Sequence, residues 1–241
     1  MQPTLIMAAV PRELALLNAA LEDVVVTTGA FPASEGFIGP SRLVCCAAGI
    51  GKANAAAASA VLIEQYQPRR IIITGCGGAY PGSGLAVGDL AIASEELFGD
   101  EGTVTPRGWL DLKQMGLPLL QLGEQNWYGT IPLALHETEK VLQLADSHGL
   151  RLTRGRFVTV SACSGTKERG LELARRHQAI CENMEGAAIA LNALRYGVPC
   201  LEIRGISNLV EDRDLSRWEI DRAVESAQRL VIKVIAELES Q

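Results

Sequence analysis

Histidine is scarce in this chain of 241 residues: only His136, His148 and His177 occur, and no two stand at metal-ligand spacing. The six cysteines include no C-x-x-C pair and mostly sit in apolar or small-residue contexts, where a thiol packs as a small hydrophobe. These absences argue against a structural metal or a disulfide framework, and for a reduced, cytoplasmic protein that requires no metal or cofactor. Positive charge is not in excess either. A net charge of −6 leaves no electrostatic footprint for nucleic acid or for an anionic membrane. No run is long and apolar enough to cross a bilayer, and the N-terminus is expected to open directly into a strand, Thr4 to Ala9, with no basic leader. A small neutral or locally complemented ligand is the partner that remains.

What is present is an ordinary globular balance, with 48% apolar and 21% charged residues, in a length that suits one domain over residues 1–241. Strand and helix patterns alternate, which predicts a wound α/β sheet. Strands are expected at Leu5 to Ala9, Leu43 to Ala48, Arg70 to Thr74, Asp89 to Ser94, Arg156 to Ser161 and Pro199 to Ile206. Helices are expected at Arg12 to Leu21, Lys52 to Gln65, Pro132 to Ser147 and Asn183 to Tyr196, the last stopped by Gly197. A closing amphipathic helix carries Ile220, Val224, Ala227, Val231, Val234 and Leu238 on one stripe. Phe98 to Thr130 breaks the rhythm with Trp109, Trp127, Tyr128 and several glycines and prolines, as a functional loop or a short-element excursion does.

Two glycine clusters need weighing. Gly49-Ile50-Gly51-Lys52 lacks the upstream glycine of a Walker A loop and has Ala53 where Ser or Thr binds magnesium, so an NTPase is rejected. Gly75-Cys76-Gly77-Gly78-Ala79-Tyr80 places Tyr80 where a dinucleotide fingerprint needs its third glycine; it reads as a tight strand exit whose amides could floor a sugar or base site. The most informative stretch is Asn183-Met184-Glu185-Gly186-Ala187-Ala188 followed by Arg204-Gly205-Ile206-Ser207-Asn208. It can deliver Glu185 and Asn208 to one crevice at the carboxyl ends of the strands, a carboxylate for sugar hydroxyls and an amide for a heterocyclic base. Glu13 and Glu185 each stand at a strand-to-helix switch; either alone reads as helix capping, but together they put negative charge where ligands bind. Arg204 reads as an ion-pair partner for a buried carboxylate.

These motifs, with Thr74-Gly75-x-Gly77-Gly78 and the run Val210-Glu211-Asp212-Arg213-Asp214, resemble the nucleoside phosphorylase and nucleosidase superfamily over nearly the whole chain. Within it the chain is most similar to the futalosine hydrolases of an alternative menaquinone pathway. The resemblance implies a three-layer single domain, a central twisted mixed sheet flanked by helices, and a homodimer or larger homo-oligomer acting on a small-molecule nucleoside. Glu13 matches the glutamate that activates water in the related methylthioadenosine/S-adenosylhomocysteine nucleosidases, Glu185 the one that binds ribose hydroxyls, and Met184 the methionine beneath the nucleoside. Asn208 matches the residue facing the purine N7, which is aspartate in the adenine-specific enzymes; Asn183 also replaces an acidic residue. An Asn208 amide giving one proton to N7 and one to a 6-oxo group favours hypoxanthine, the base of futalosine. Cys76, Gly77, Gly78, Cys163, Ser164, Asn183 and Ser207 are expected to add substrate contacts and shape. Residues 98–130, with Arg107 or Lys113 as a cation, would cover the 5′ side or serve a subunit contact. The rivals are a methylthioadenosine/S-adenosylhomocysteine nucleosidase, a purine nucleoside phosphorylase with Arg12 near its phosphate, and a purine-binding or storage protein without activity.

Overall fold

The computed structural model describes residues 2–238; the side chain of Leu238, assigned to the amphipathic stripe, lies outside the described residues. β1 (Thr4–Ala8) passes through a 3₁₀ turn (Pro11–Leu14) into α1 (Ala15–Ala20). The meander β2 (Glu22–Val26), β3 (Ala33–Ile38) and β4 (Ser41–Ala47) precedes α2 (Lys52–Tyr66), β5 (Arg70–Ala79) and β6 (Leu90–Phe98). Five short strands follow: β7 (Gly102–Thr105), β8 (Gly108–Asp111), β9 (Leu120–Leu122), β10 (Gln125–Trp127) and β11 (Thr130–Pro132). Then come α3 (Leu135–Ser147), β12 (Leu152–Thr159), α4 (Lys167–His177), β13 (Ala179–Asn183), α5 (Gly186–Tyr196), β14 (Cys200–Leu209) and α6 (Ile220–Leu238).

The main sheet is mixed, in the order β11-β6-β12-β13-β5-β1-β4-β3-β2, with β14 pairing both β5 and β6. That double pairing closes a ring: β5, β14, β6, β12 and β13 bond in sequence, and β13 returns antiparallel to β5. β1 and the first half of β5 read as unbroken apolar runs because both of their faces are covered, and every residue of β1 is buried. On one face the small residues Ala55, Ala58, Ala187, Ala190 and Ala193 let α2 and α5 pack closely. On the other, Ala227, Val231 and Val234 of α6 meet Ile72, Leu201 and Ile203. Gly205 is the contact point there: a Cβ would stand 2.0 Å from the Ala223 carbonyl oxygen, so α6 could not dock on a side chain at that position.

Several boundaries differ from the sequence reading. β5 continues to Ala79 and β14 to Leu209, so both glycine-rich or polar ends remain on strands and are not loops. The expected helix from Arg12 to Leu21 is a 3₁₀ turn and a short α-helix, because Glu13 turns its carboxylate back to the end of β1. The 98–130 segment resolves into the hairpins β7–β8 and β9–β10 plus β11, an excursion of short elements. Strands β2, β3 and β13 and helix α4 were not anticipated. Among the described residues no helix is long and apolar enough to cross a membrane.

Candidate active site

Glu13 is held at the junction of β1 and β5. One carboxylate oxygen accepts from the backbone N–H groups of Ala9 at 2.9 Å and Val10 at 3.2 Å, the other from Cys76 N–H at 2.9 Å. The group is buried, and Gly75 makes the approach possible: a Cβ there would lie 2.4 Å from Glu13 Oε1. Capping is thus part of its role, but the cap ties together two strands at the mouth of the ring.

Glu185 enters from the start of α5. Its Oε1 accepts from Gly51 N–H at 2.9 Å, so the Gly49-Ile50-Gly51 turn serves this carboxylate, and its Oε2 stands 3.7 Å from Arg204 Nη2. Burial raises the Glu185 pKa, with Arg204 opposing the rise. Arg204 donates to Glu202 Oε1 at 2.8 Å and to the Cys76 carbonyl at 3.2 Å. Burial acts to discharge this guanidinium, but the charges of Glu202, Glu185 and Glu13 outweigh it and raise its pKa. The ion-pair role read for Arg204 is therefore what the geometry displays, with more than one carboxylate answering it.

Asn183 borders the cavity and also serves the protein's own structure. Its carbonyl oxygen accepts from the N–H groups of Glu185 and Gly186 at 2.9 and 2.7 Å, and its amide donates to Glu96 at 2.6 Å. Both ends of the side chain are committed to the start of α5 and to a buried carboxyl, although the residue still borders the cavity.

At the other side of the cavity, Ser207 donates to Asn208 Oδ1 at 2.8 Å while Asn208 Nδ2 donates to the Leu209 carbonyl at 3.1 Å. Ser207 thereby fixes which way the amide faces. One amide proton is committed to Leu209 and one is left, so the two-proton pairing with N7 and a 6-oxo group is not available in this arrangement. Ser164 donates through its N–H and hydroxyl to Glu182 at 2.8 and 2.5 Å, and Tyr80 donates to the same carboxylate at 3.0 Å. Met184 Sδ lies 3.1 Å from Cys163 Sγ. The Cys76 thiol is pushed up to about 12 by burial and by the charge of Glu13, and burial also raises Cys163, so neither is poised as a thiolate nucleophile.

Glu13, Cys76, Gly77, Gly78, Cys163, Ser164, Asn183, Met184, Glu185, Ser207 and Asn208 all line one cavity of about 280 Å³. The sequence reading missed Glu182, Arg213 and Trp218, which line it too. Glu182 had a visible signal, an acidic residue in a buried strand two positions before Met184; Arg213 lies in the charged run Val210 to Asp214 that carries part of the resemblance, and Trp218 has no local signal. The 98–130 segment does not reach the cavity. Trp109, Lys113, Trp127 and Tyr128 instead line a separate cavity of about 350 Å³ with His177, and Arg176 stacks on Trp109. The expectation that this segment covers the 5′ side within its own chain is corrected. Among the described residues, no group of three or more His, Cys, Asp or Glu is placed to hold a metal ion.

Comparison with known proteins identifies the family. Residues 3–236 match the family model described as the phosphorylase superfamily. The futalosine hydrolase of Thermus thermophilus is 36% identical over 189 residues, which cover 78% of this chain and 79% of that protein. The 5'-methylthioadenosine/S-adenosylhomocysteine nucleosidase of Hydrogenovibrio crunogenus is 28% identical over 238 residues, 98% of each chain. The crystal structure of such a nucleosidase from Colwellia psychrerythraea 34H, in complex with adenine, superposes with a TM-score of 0.84 at 25% identity, covering 98% of this chain and 96% of that one.

Proposed function

This chain belongs to the phosphorylase superfamily, and from that premise we propose that it is a nucleosidase hydrolysing the N-ribosidic bond of futalosine to release hypoxanthine. The observation that carries the reading is the meeting of Glu13, Glu185 and the Ser207-oriented amide of Asn208 in one cavity. Glu13 orients and deprotonates the attacking water, help worth about 10²–10⁴ in rate. Glu185, supported by Gly51 and Arg204, holds the ribose hydroxyls and favours positive charge on the sugar. Asn208 offers its remaining amide proton to the departing purine. That remaining donor is suited to N7 or to a 6-oxo oxygen of the base.

Hydrolysis is favoured over phosphorolysis by charge. Arg12, the cation nearest to Glu13 in sequence, does not line the cavity and donates to Asp221 at 2.6 Å. The buried part of the cavity presents Glu13, Glu182 and Glu185, and its one arginine, Arg204, is already answered by Glu185 and Glu202, an arrangement that disfavours phosphate. The test is a chromatographic assay of futalosine, inosine and 5'-methylthioadenosine, each with and without phosphate. Hypoxanthine should appear from futalosine at a rate that phosphate does not change. Release that requires phosphate, or cleavage of the adenine nucleoside alone, would overturn the reading.

A further inference from the structure

The loop between β14 and α6 carries a dense run of charge, Glu211-Asp212-Arg213-Asp214, and all of it but one residue is answered. Glu211 pairs with Arg217 at 2.5 Å, and Asp212 accepts from the Lys167 N–H at 3.2 Å. Asp214 accepts from the Ser216 N–H and hydroxyl at 3.0 and 2.7 Å. Arg213 has no carboxylate partner among the described residues; its guanidinium carbon lies over the Trp218 ring, 4.9 Å from the centroid. Both residues line the cavity, Arg213 from its exposed rim, while Glu13, Glu182 and Glu185 line it from the buried interior. An unanswered cation on an aromatic plate, at the mouth of a carboxylate-lined cavity, is placed to meet an anion that the interior would reject.

The cavity of about 280 Å³ has buried carboxylates inside and Arg213 at its exposed rim, so a substituent that extends outward from a nucleoside held by Glu13 and Glu185 passes Arg213. We propose that Arg213, stacked on Trp218, selects purine nucleosides whose outer substituent ends in a carboxylate. This rests on the nucleosidase reading and extends it from the scissile bond to the far end of the substrate. The planar fork of arginine binds a carboxylate through two parallel hydrogen bonds, which lysine cannot reproduce.

The experiment compares kcat/KM for futalosine with that for its methyl ester, which has the same shape without the charge, in wild type, Arg213→Gln and Arg213→Lys. The acid-to-ester ratio should fall about tenfold in Arg213→Gln, mainly through KM, and be partly restored in Arg213→Lys. In wild type, added salt should raise KM for the acid more than for the ester. A ratio unchanged within about twofold in Arg213→Gln would overturn the proposal. If wild type cleaves neither compound, the nucleosidase reading fails. The same ratio, read as Kd by calorimetry, then still decides whether Arg213 reads the carboxylate; binding of neither compound, or equal binding of both, refutes it.

Discussion

Replacing Glu96 by glutamine should make the protein's stability less sensitive to alkaline pH, and the structure sets the size of the change. Glu96 on β6 is fully buried, accepts from Asn183 Nδ2 at 2.6 Å and Thr159 Oγ1 at 2.8 Å, and faces Glu202, which is paired with Arg204. The carboxyls crowd together: a Cβ on Gly186 would stand 2.4 Å from Glu96 Oε1 and 2.3 Å from Glu202 Oε2. Burial first, and the neighbouring charge of Glu202 second, raise the Glu96 pKa well above its ordinary range. The pair therefore carries a proton in the folded protein that the unfolded chain releases near pH ~4.3. A raised folded value means that this contribution is complete below the unfolded pKa and is lost as pH rises through the folded one. Between the two, the wild type loses about 1.4 kcal/mol per pH unit from this group. Glutamine cannot ionise, so Glu96→Gln removes that slope. It also sets an amide against Asn183 Nδ2 or Thr159, a cost of about 0.5–1.5 kcal/mol that does not vary with pH. Urea unfolding of both proteins at rising pH from about pH 5 should show the variant gaining on the wild type by up to about 1.4 kcal/mol per unit until the folded Glu96 itself ionises. Titrating groups outside the Glu96–Glu202 pair, Glu185 included, are common to both proteins and cancel in the difference. Parallel curves would refute the shared buried proton.

Glu13→Gln should lower kcat by about 10²–10⁴ while leaving Kd for the nucleoside within a few-fold; retention of turnover would remove Glu13 from the chemistry. The same variant should lose about 1–3 kcal/mol in urea melts, since an amide cannot accept all three backbone N–H groups. Asn208→Asp should reduce kcat/KM on 6-oxopurine relative to 6-aminopurine nucleosides by about tenfold or more, and an unchanged preference would end the argument from the amide. Gly205→Ala should displace α6, because the new methyl would meet the Ala223 carbonyl at 2.0 Å; a loss of about 3 kcal/mol or failure to express folded protein is expected, and a wild-type melting curve would contradict the packing.

The fold was legible where period and punctuation agree. β1, β5 and α5 follow from continuous apolar runs and from Gly197, which ends α5 with φ +67°. β2 was not legible because its Val24, Val25 and Val26 are exposed on an outer strand, and an apolar run that does not reach the core gives a misleading pattern. α4 was missed because Lys167–His177 is rich in charge, with only Gly170 and Leu173 buried. The ring closure depends on β14 bonding two strands that are distant in sequence, which no local pattern encodes. The site was more legible than the fold, since strand ends and helix starts are where polar residues stand out. Asn183 shows the limit of that signal: a polar residue at a helix start serves the backbone as readily as a ligand.

The feature that no single motif displays is the ratio of charges. Glu13, Glu185 and Glu202 converge on one buried arginine, with Glu96 behind them. Such crowding is unfavourable for folding, because buried like charges repel and a lone cation cannot neutralise them all. The fold tolerates it by distributing the load: Glu13 leans on three backbone N–H groups, Glu185 on Gly51, and Glu96 keeps its proton. A ribose that develops positive charge on losing its base would enter this field and relieve it, whereas an incoming phosphate would add to it. The same imbalance that makes the interior costly to build therefore sorts water from phosphate as the nucleophile. It also assigns recognition of any anionic substituent to the rim, where Arg213 stands outside the carboxylate cluster.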